Sequence, residues 1–453
     1  KDGTFREELE NYFDHVSLSS MGNDAVDFNN DGYIDLFTLD MDPEDNYENK
    51  LVAGPDNYDA YSILKRTGFY NQTTRNMLQL NNGGRYFTEI GQYSGIIATN
   101  WSWSSLMCDL DNDGLKDLYI SNGYGRNSTY MDALMVSVRQ MSRQQKGMTH
   151  MSKLEVLQKI PPTILKNYIY RNNGDYTFSN VTDTWGDESP SLSNGTVYAD
   201  LDNDGDPDIV TSVINGYAGI YRNNSEKITG NNFLKIKFRG TGLNKGGIGA
   251  RVEIKYGDKL QVQEFQPSRG YMSSMNHELI FGVGKVEKID ELRVIWPDLL
   301  EQTIKNISVN QTITLNNKEA EPATETNGTY PSPLLVTANN NILNFRHTEN
   351  DYVDFRKQIL LPHFLSTQGP RIAKADVNRD GLEDLYFCGA KGSAGALYLQ
   401  NRNGSFNESE QQCFTDDKDC EDTDALFFDA DGDSDPDLYV VSGGNEFSPS
   451  SPE

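Results

Sequence analysis

The sequence of 453 residues predicts an all-β fold built from β-propeller blades. A nine-residue acidic pattern, D-x-[DN]-x-D-x-x-x-D, occurs five times, and each copy lies between two short apolar runs that are typical of strands. An Asn-Gly or Asp-Gly turn, closely followed by Phe, precedes four of the five copies. Short strands joined by such turns in a regular repeat indicate propeller blades.

The acidic copies are named loop 1 (27–35), loop 2 (109–117), loop 3 (200–208), loop 4 (376–384) and loop 5 (429–437). They read DFNNDGYID, DLDNDGLKD, DLDNDGDPD, DVNRDGLED and DADGDSDPD. From the Phe of the Gly turn to the first Asp the chain advances 22 residues after Phe5, Phe87 and Phe178, and 23 residues after Phe406. This constant phase indicates one repeating structural unit.

The spacing of oxygen-bearing residues in each loop predicts a calcium site. Side chains at positions 1, 3, 5 and 9 of a tight turn, with the carbonyl of position 7, supply hard oxygen ligands that converge on one point, as Ca²⁺ requires. Gly at position 6 of four loops permits the sharp turn, and Ser434 stands there in loop 5. An EF-hand is excluded because position 12 is never Glu and lies in a predicted strand. Mg²⁺ is disfavoured because it keeps its waters.

About five Ca²⁺ ions are therefore predicted, one for each loop. The predicted ligands are Asp27, Asn29, Asp31, Tyr33 and Asp35 in loop 1; Asp109, Asp111, Asp113, Leu115 and Asp117 in loop 2; Asp200, Asp202, Asp204, Asp206 and Asp208 in loop 3; Asp376, Asn378, Asp380, Leu382 and Asp384 in loop 4; and Asp429, Asp431, Asp433, Asp435 and Asp437 in loop 5.

The alternative is that these loops are solvated acidic turns without metal. Two like charges ~4 Å apart repel by about 1 kcal/mol in water and by about 4 kcal/mol at an effective dielectric of 20. Three or four acids in each turn would therefore destabilise an empty loop, which favours the metal. A loop that fills its own ligand positions also favours a structural ion over one that binds a further ligand.

Composition excludes some functions. The formal net charge of −27 argues against nucleic acid as a partner, because binding to phosphates needs clustered Lys and Arg. No apolar run approaches the ~18 residues of a membrane span. Because the sequence begins inside the first repeat, we expect any signal peptide or lipid anchor to lie outside it. Cys108 and Cys388 are predicted to be buried thiols. The sequence does not decide whether Cys413 and Cys420 form a disulfide.

Insertions enter the repeat at one place, between the strand after an acidic loop and the next Gly turn. The segment from about 130 to 160 is rich in Met, Leu, Gln and Lys and contains no Pro before 161, which predicts one or two helices. Insertions on one face of a propeller either build a partner-binding surface or cover the blade.

The repeats define four predicted regions. Residues 1–228 form propeller blades, 229–317 a small β-domain with alternating segments such as FLKIKF and ARVEIKY, 318–340 a linker, and 341–453 the start of a second propeller. Three loops before the small domain and two after it are too few to close two propellers. We therefore expect the sequence to be part of a longer protein.

The loops and their order resemble the FG-GAP/VCBS repeat proteins, whose blades carry the calcium loops of the integrin α propeller. The segments NKGGIGARVEI, QPSRGYMSS, FGVGK and ELRVIWPD, between residues 244 and 298, resemble the ASPIC/UnbV domain of cartilage acidic proteins and many bacterial surface proteins. The resumed repeat is similar to the second propeller of Bacteroidota surface lipoproteins. This resemblance implies calcium binding and a location on the extracellular face of the outer membrane or secretion.

The resemblance also implies a non-catalytic binding, adhesion or scaffold subunit, whose expected partners are other surface or outer-membrane proteins, SusC/SusD-type uptake systems among them, and glycans. The alternative is a calcium-dependent propeller polysaccharide lyase or a glycan-binding protein. No nucleophile elbow, zinc-protease motif or P-loop occurs in the sequence, so an enzyme is not expected.

Six further residues are open to two interpretations. We expect His277 to be a packed turn residue rather than a catalytic base, and His363 to be either an interior or a capping residue. Arg251 and Arg269 could bind an anion, but pairing with local acids is favoured. Trp101 and Trp103 could stack on a sugar, but a role in the core is favoured.

Overall fold

The computed structural model describes residues 4–52, 58–125, 164–186, 189–322, 342–361 and 363–447, together with Met135. Small antiparallel sheets dominate it, in agreement with the predicted all-β class. The chain divides into two compact units, Lys1–Thr326 and Asn327–Glu453. Apart from Met135, the predicted helical insertion from 130 to 160 lies outside the described residues. No helix in the described parts of the chain is long and apolar enough to cross a membrane.

The described residues of the first part of the first unit form fourteen short strands. They are β1 (Val16–Ser17), β2 (Asn23–Val26), β3 (Asp35–Thr38), β4 (Met41–Asp42), β5 (Gln72–Thr73), β6 (Met77–Asn81), β7 (Phe87–Glu89), β8 (Asn100–Cys108), β9 (Asp117–Asn122), β10 (Tyr168–Asn172), β11 (Phe178–Asn180), β12 (Ser193–Ala199), β13 (Asp208–Val213) and β14 (Gly219–Tyr221). Three antiparallel sheets result, in the orders β2-β3-β6-β7, β4-β8-β9-β10-β11 and β12-β13-β14, and β1 pairs with β5 in parallel.

The second part of the first unit is a separate pair of sheets, here named the middle domain (232–322). Its strands are β15 (Asn232–Arg239), β16 (Arg251–Tyr256), β17 (Lys259–Glu264), β18 (Glu278–Gly284), β19 (Lys288–Ile295), β20 (Leu300–Ser308), β21 (Gln311–Asn316) and β22 (Glu321–Pro322). They form the sheets β18-β15-β21 and β17-β16-β19-β20-β22. Alternate residues point inward around the fully buried Trp296 and Phe281, so this part of the unit has a core of its own.

The second unit repeats the plan of the first sheets. Its strands are β23 (Ile372–Ala375), β24 (Asp384–Phe387), β25 (Ala396–Gln400), β26 (Phe406–Ser409), β27 (Asp422–Phe428) and β28 (Asp437–Ser442). A four-stranded sheet, β23-β24-β25-β26, lies beside the hairpin β27-β28.

The described helices are short. They are α1 (Leu9–Tyr12), α2 (Asn46–Val52), α3 (Tyr58–Arg66), α4 (Gly91–Ser94), α5 (Thr182–Trp185), α6 (Ser225–Ile228) and α7 (Gln412–Asp416), with 3₁₀ turns at Asn317–Glu319 and Asp354–Arg356. The two longest, α2 and α3, lie in the insertion between β4 and β5 and contain no buried residue among those described.

Every acidic loop has the same place in its sheet. With β4 set aside as an added edge strand of the second sheet, the loop joins the first strand to the second, so that position 1 follows the first strand directly and position 9 begins the second strand. The Gly turn joins the third strand to the fourth, and its aromatic residue, Phe87, Phe178 or Phe406, opens the fourth strand. The constant sequence phase therefore spans the fourth strand of one sheet, the connection to the next sheet and the first strand of that next sheet.

Neighbouring sheets of the first unit pack face to face because residues alternate along the strands. In β8, Met107 points toward the first sheet, whereas Leu106 and Cys108 point toward the third. In β9, Leu118 and Tyr119 divide in the same way. The second sheet is thus buried on both faces, as the apolar character of its strands requires.

Candidate metal sites

The first Asp of each loop is held by the turn that follows it. One oxygen of this carboxylate, Oδ2, accepts a hydrogen bond from the backbone N–H of position 6, at 2.8–3.1 Å in all five loops. In loops 1, 2 and 4 the other oxygen accepts the N–H of position 5 at 3.0–3.1 Å. The position-5 carboxylate in turn accepts the N–H of position 7 in every loop. The loop is therefore a chain of Asx-type turns.

The last Asp of each loop is fixed from two sides. Its Oδ2 accepts the N–H of position 2, at 2.8–3.3 Å in the five loops. In loops 1 to 4 its Oδ1 also accepts an N–H at the end of the third strand, from Asn81, Asn172, Asn223 or Gln400, at 2.8–3.0 Å. These bonds tie the carboxylate to the sheet rather than to the flexible part of the turn.

Two positions of the loop have left-handed backbone. Position 6 has φ between 71° and 100°, with Gly in four loops and Ser434 in the fifth. Position 4 also has positive φ, at Asn30, Asn112, Asn203, Arg379 and Gly432. Asn tolerates this conformation better than most residues, which accounts for its use in three loops. The sequence analysis considered only position 6.

The fixed carboxylates converge. In loops 2, 3 and 5, where position 3 is Asp, positions 1, 3 and 9 each bring one carboxylate oxygen within 4.8 Å of the others. Loops 1 and 4 have Asn29 and Asn378 at that position. Each loop therefore presents an oxygen-rich ligand set of the kind that hard divalent cations prefer. In loop 3, positions 5 and 7 do not join this group: Asp204 and Asp206 form a second acidic group with Glu226 of α6.

Burial makes the ionised form of the carboxylates in loops 1 and 2 unfavourable when no positive charge is nearby. Loss of solvation raises the pKa of Asp27 to about 6 and the pKa of Asp35 and of Asp109 to about 7, against partial compensation from backbone N–H groups or from Lys116. The pKa of Asp117 is also raised well above its ordinary value by burial, and then by the neighbouring carboxylates. A bound cation would remove this penalty.

Loop 3 contains an unsatisfied buried oxygen that tests the fit to a cation. Asp200 is 6% exposed, and its Oδ1 has no hydrogen-bond partner, whereas its Oδ2 accepts from Gly205 and pairs with Lys235. A buried acceptor without a partner is costly. A cation coordinated by Asp200, Asp202 and Asp208 would satisfy it, so the residues of this loop fit the group.

The sequence analysis missed two arginines at equivalent places. Arg171 approaches the carboxylates of positions 3 and 5 of loop 2 at 3.5 and 3.2 Å. Arg222 approaches the same positions of loop 3 at 2.6 and 3.1 Å. Each follows Tyr in the repeated sequence Y-R-N-N, which was the available signal. They reduce the charge at the rim of the two loops.

Links between loops were also missed. Asn30 of loop 1 donates to the carbonyl oxygen of Gly114 in loop 2 at 2.9 Å, and Asn112 of loop 2 donates to that of Gly205 in loop 3 at 3.2 Å. Position 4 of one loop thus contacts position 6 of the next. In the second unit, Arg379 at position 4 of loop 4 lies 3.9 Å from Asp435 of loop 5.

The two candidate arginines of the middle domain have local partners, as favoured. Arg269 forms a bidentate pair with the buried Asp24 at 2.6 and 2.8 Å. Arg251 pairs with Glu253 at 3.0 Å and donates to the carbonyl oxygen of Gly32 at 2.6 Å. Neither presents a free guanidinium to an anion.

The candidate aromatic and histidine residues differ in environment. Trp101 stacks on Tyr124 with ring centres 3.8 Å apart, and Trp103 donates to the carbonyl oxygen of Gly123. Both tryptophans therefore pack within the protein. His277 is exposed and lies edge-on to Phe265. His363 is exposed. The prediction of an interior position for this residue is therefore wrong.

None of the four cysteines, which all lie in the described residues, is in a disulfide. Cys108 and Cys388 are buried, as predicted, and burial raises the pKa of Cys388 to about 12. Cys413 and Cys420, whose pairing the sequence left open, are not joined.

Comparison with known families agrees with this architecture. The family model described as ASPIC and UnbV matches residues 240–322, which lie in the middle domain. The model for the FG-GAP-like repeat matches residues 165–211, which include loop 3, and residues 376–440, which include loops 4 and 5. Comparison with curated proteins found no match. The chain therefore contains FG-GAP-like repeats before and after an ASPIC/UnbV domain.

Proposed function

We propose that this chain is a calcium-binding β-propeller protein that acts as a non-catalytic binding or scaffold subunit at the cell surface. The observation that carries the proposal is the fivefold repetition of one loop geometry, with its position-1 and position-9 carboxylates fixed by backbone N–H groups. Ca²⁺ is the cation that such all-oxygen loops suit best. The sheets that carry the loops would be propeller blades, and the ions would be structural.

A binding role is supported by the families and by the surface. FG-GAP-like repeats and the ASPIC/UnbV domain are generally not catalytic. The insertion between β4 and β5 exposes large apolar side chains, among them Tyr47, Ile63 and Phe69, which are 70, 56 and 54% exposed. Exposed apolar groups of this kind support a partner-binding surface. Other surface or outer-membrane proteins, including SusC/SusD-type systems, and glycans are the proposed partners.

The metal content of the purified chain tests the central part of the proposal. We expect about five calcium ions for each chain after dialysis against calcium-free buffer, measured by elemental mass spectrometry. Fewer than about two tightly held ions would contradict the proposal.

A deletion tests the binding role. Replacing residues 130–159 by a short Gly/Ser linker should leave calcium content and melting temperature unchanged but abolish co-purification with surface partners. Release of unsaturated products from acidic polysaccharides by both the intact and the deleted chain would instead support the lyase alternative.

A further inference from the structure

The three loops of the first unit all face the ASPIC/UnbV domain, and each contacts it at the position-6 glycine. Arg251 donates to the carbonyl oxygen of Gly32 at 2.6 Å. Gly114 lies against Gln261 and Tyr256, so that a Cβ placed there would be 3.0–3.1 Å from their polar atoms. The side that carries the candidate metal sites is thus covered by a second folded body of the same unit.

Loop 2 contacts the domain through its backbone carbonyl groups and its position-1 carboxylate. The N–H of Gly284 donates to the carbonyl oxygen of Asn112 at 2.8 Å, and Asn231 donates to that of Asp111 at 2.9 Å. A Cβ on Gly282 would lie 2.1 Å from Oδ2 of Asp109. Strand β18 can therefore approach the position-1 carboxylate only because it has no side chain at this residue.

Loop 3 contacts the domain through an ion pair and through an aromatic ring. The Lys235 side chain is 4% exposed, and its ammonium pairs with Asp200, the carboxylate whose other oxygen is buried without a partner. The ring of Phe233 packs directly on Gly205, where an added Cβ would lie 1.9 Å from it. Both residues belong to β15, so one strand contacts positions 1 and 6 of the loop.

We propose that cation binding at loops 1 to 3 and docking of the ASPIC/UnbV domain on these loops are energetically coupled. The proposal rests on the calcium binding proposed above. An ion that fixes position 1 and position 6 of a loop presents the surface on which the domain docks, and the docked domain holds the same groups in place for the ion. Such coupling is reciprocal, because each event must favour the other by the same free energy.

The second unit supplies an internal comparison. A Cβ on Gly381, at position 6 of loop 4, would meet no atom within 4 Å, and the ligand residues of loop 5 are all exposed. The described part of the chain thus contains two classes of candidate site. Loops 1 to 3 contact the domain within their own unit, whereas loops 4 and 5 belong to the other unit.

Hydrogen exchange of the full chain, followed by mass spectrometry with and without calcium, tests the coupling. We expect removal of calcium to raise the exchange rate of amides in β15 and β18 by about tenfold or more, since coupling energies commonly change equilibria about 5-fold to 150-fold. Unchanged exchange in these strands, in a chain shown to bind calcium, would overturn the inference and leave the proposed function intact. A chain that binds no calcium would overturn the proposed function itself, and the inference with it.

A matched pair of variants separates docking from local strain. Gly205→Ala and Gly381→Ala both place Cβ on left-handed backbone, at φ of 100° and 83°, but only the first collides with the ASPIC/UnbV domain. With calcium present, we expect Gly205→Ala to raise exchange in β15 about tenfold and Gly381→Ala to leave it unchanged.

A second variant, Phe233→Leu, tests the same contact if Gly205→Ala does not fold. It removes the ring that packs on Gly205 and leaves the sequence of loop 3 unchanged. We expect it to weaken calcium binding at one site in a titration followed by calorimetry, with the other sites unchanged. Equal behaviour of Gly205→Ala and Gly381→Ala in β15, or unaltered calcium binding in Phe233→Leu, would contradict the coupling.

Discussion

At the scale of single residues, the candidate sites depend on how each carboxylate is held rather than on how many are present. The position-9 Asp is bound by the N–H of position 2 in all five loops, and the position-1 Asp by the N–H of position 6. Backbone donors favour the ionised carboxylate and fix its direction. The same donors are present in loop 5, whose ligand residues are all exposed, so this geometry is a property of the turn and not of its burial.

The buried pair of Lys235 and Asp200 gives the first residue-scale prediction. Removing one partner of a buried pair leaves an uncompensated charge and costs about 3–5 kcal/mol. In calcium-free buffer, Lys235→Met should therefore lower the free energy of unfolding by about that amount, measured by urea denaturation. Excess calcium should reduce the loss, because the ion supplies charge to the same carboxylate.

Lys237→Met is the matched control. Lys237 lies on the same strand, but it is 52% exposed and its partner Glu278 is 3.5 Å away. Exposed pairs contribute about 0–1 kcal/mol, so this variant should scarcely change stability. Similar losses in the two variants would show that the pair of Lys235 and Asp200 contributes no more to the free energy of unfolding than the exposed pair does.

At the scale of elements, the segment between β17 and β18 connects three repeat sheets. Arg269 in this segment pairs with Asp24 of β2, donates to the carbonyl oxygen of Met107 in β8 at 2.8 Å and to the hydroxyl of Tyr198 in β12 at 2.6 Å. The N–H of Gly270 also donates to the carbonyl oxygen of Asn23. One short segment of the ASPIC/UnbV domain therefore contacts β2, β8 and β12, the strands that lead into the three acidic loops of the unit.

Arg269→Met should separate this segment from the sheets. Because Asp24 would remain buried without its partner, we expect a loss of about 3–5 kcal/mol in the free energy of unfolding and faster exchange of amides in β2 and β12. Arg293→Met, which breaks the more exposed pair with Glu301 inside the domain, should leave exchange in those strands unchanged. Faster exchange in both variants would indicate a general loss of stability instead.

The elements also show what sequence can and cannot predict. The order of acidic loop, strand and Gly turn was predictable because ligand spacing and left-handed turns restrict residue types at fixed positions. Lys235 could not be identified, since a Lys in an alternating strand is ordinarily solvent-exposed and its partner lies 35 residues earlier in the chain. The exposure of His363 was also missed, because the apolar residues before it suggested an interior segment, whereas Ile359 and Leu360 are 73 and 91% exposed.

At the scale of the whole molecule, part of the net charge of −27 belongs to buried carboxylates that oppose folding when no cation is present. Asp27, Asp35 and Asp109 have pKa values raised to about 6 or 7, mainly by burial. In the unfolded chain a carboxyl titrates near pH 4. The metal-free folded protein therefore binds more protons than the unfolded chain between about pH 4 and pH 7.

This difference gives the last prediction, a pH dependence that calcium removes. Each pKa unit by which a group is raised costs about 1.4 kcal/mol once the group is ionised, and the cost is complete only above the folded pKa. The melting temperature of calcium-free protein should fall steadily from pH 5 to pH 8. In excess calcium the bound ion favours the ionised carboxylates, so the melting temperature should stay level or rise over the same range.

Calorimetric scans at several pH values, with protein stripped of metal before transfer to chelator-free buffer, measure both curves. Parallel curves would mean that these carboxylates do not face the ion, because only groups whose charge the ion neutralises can lose their pH dependence when it binds.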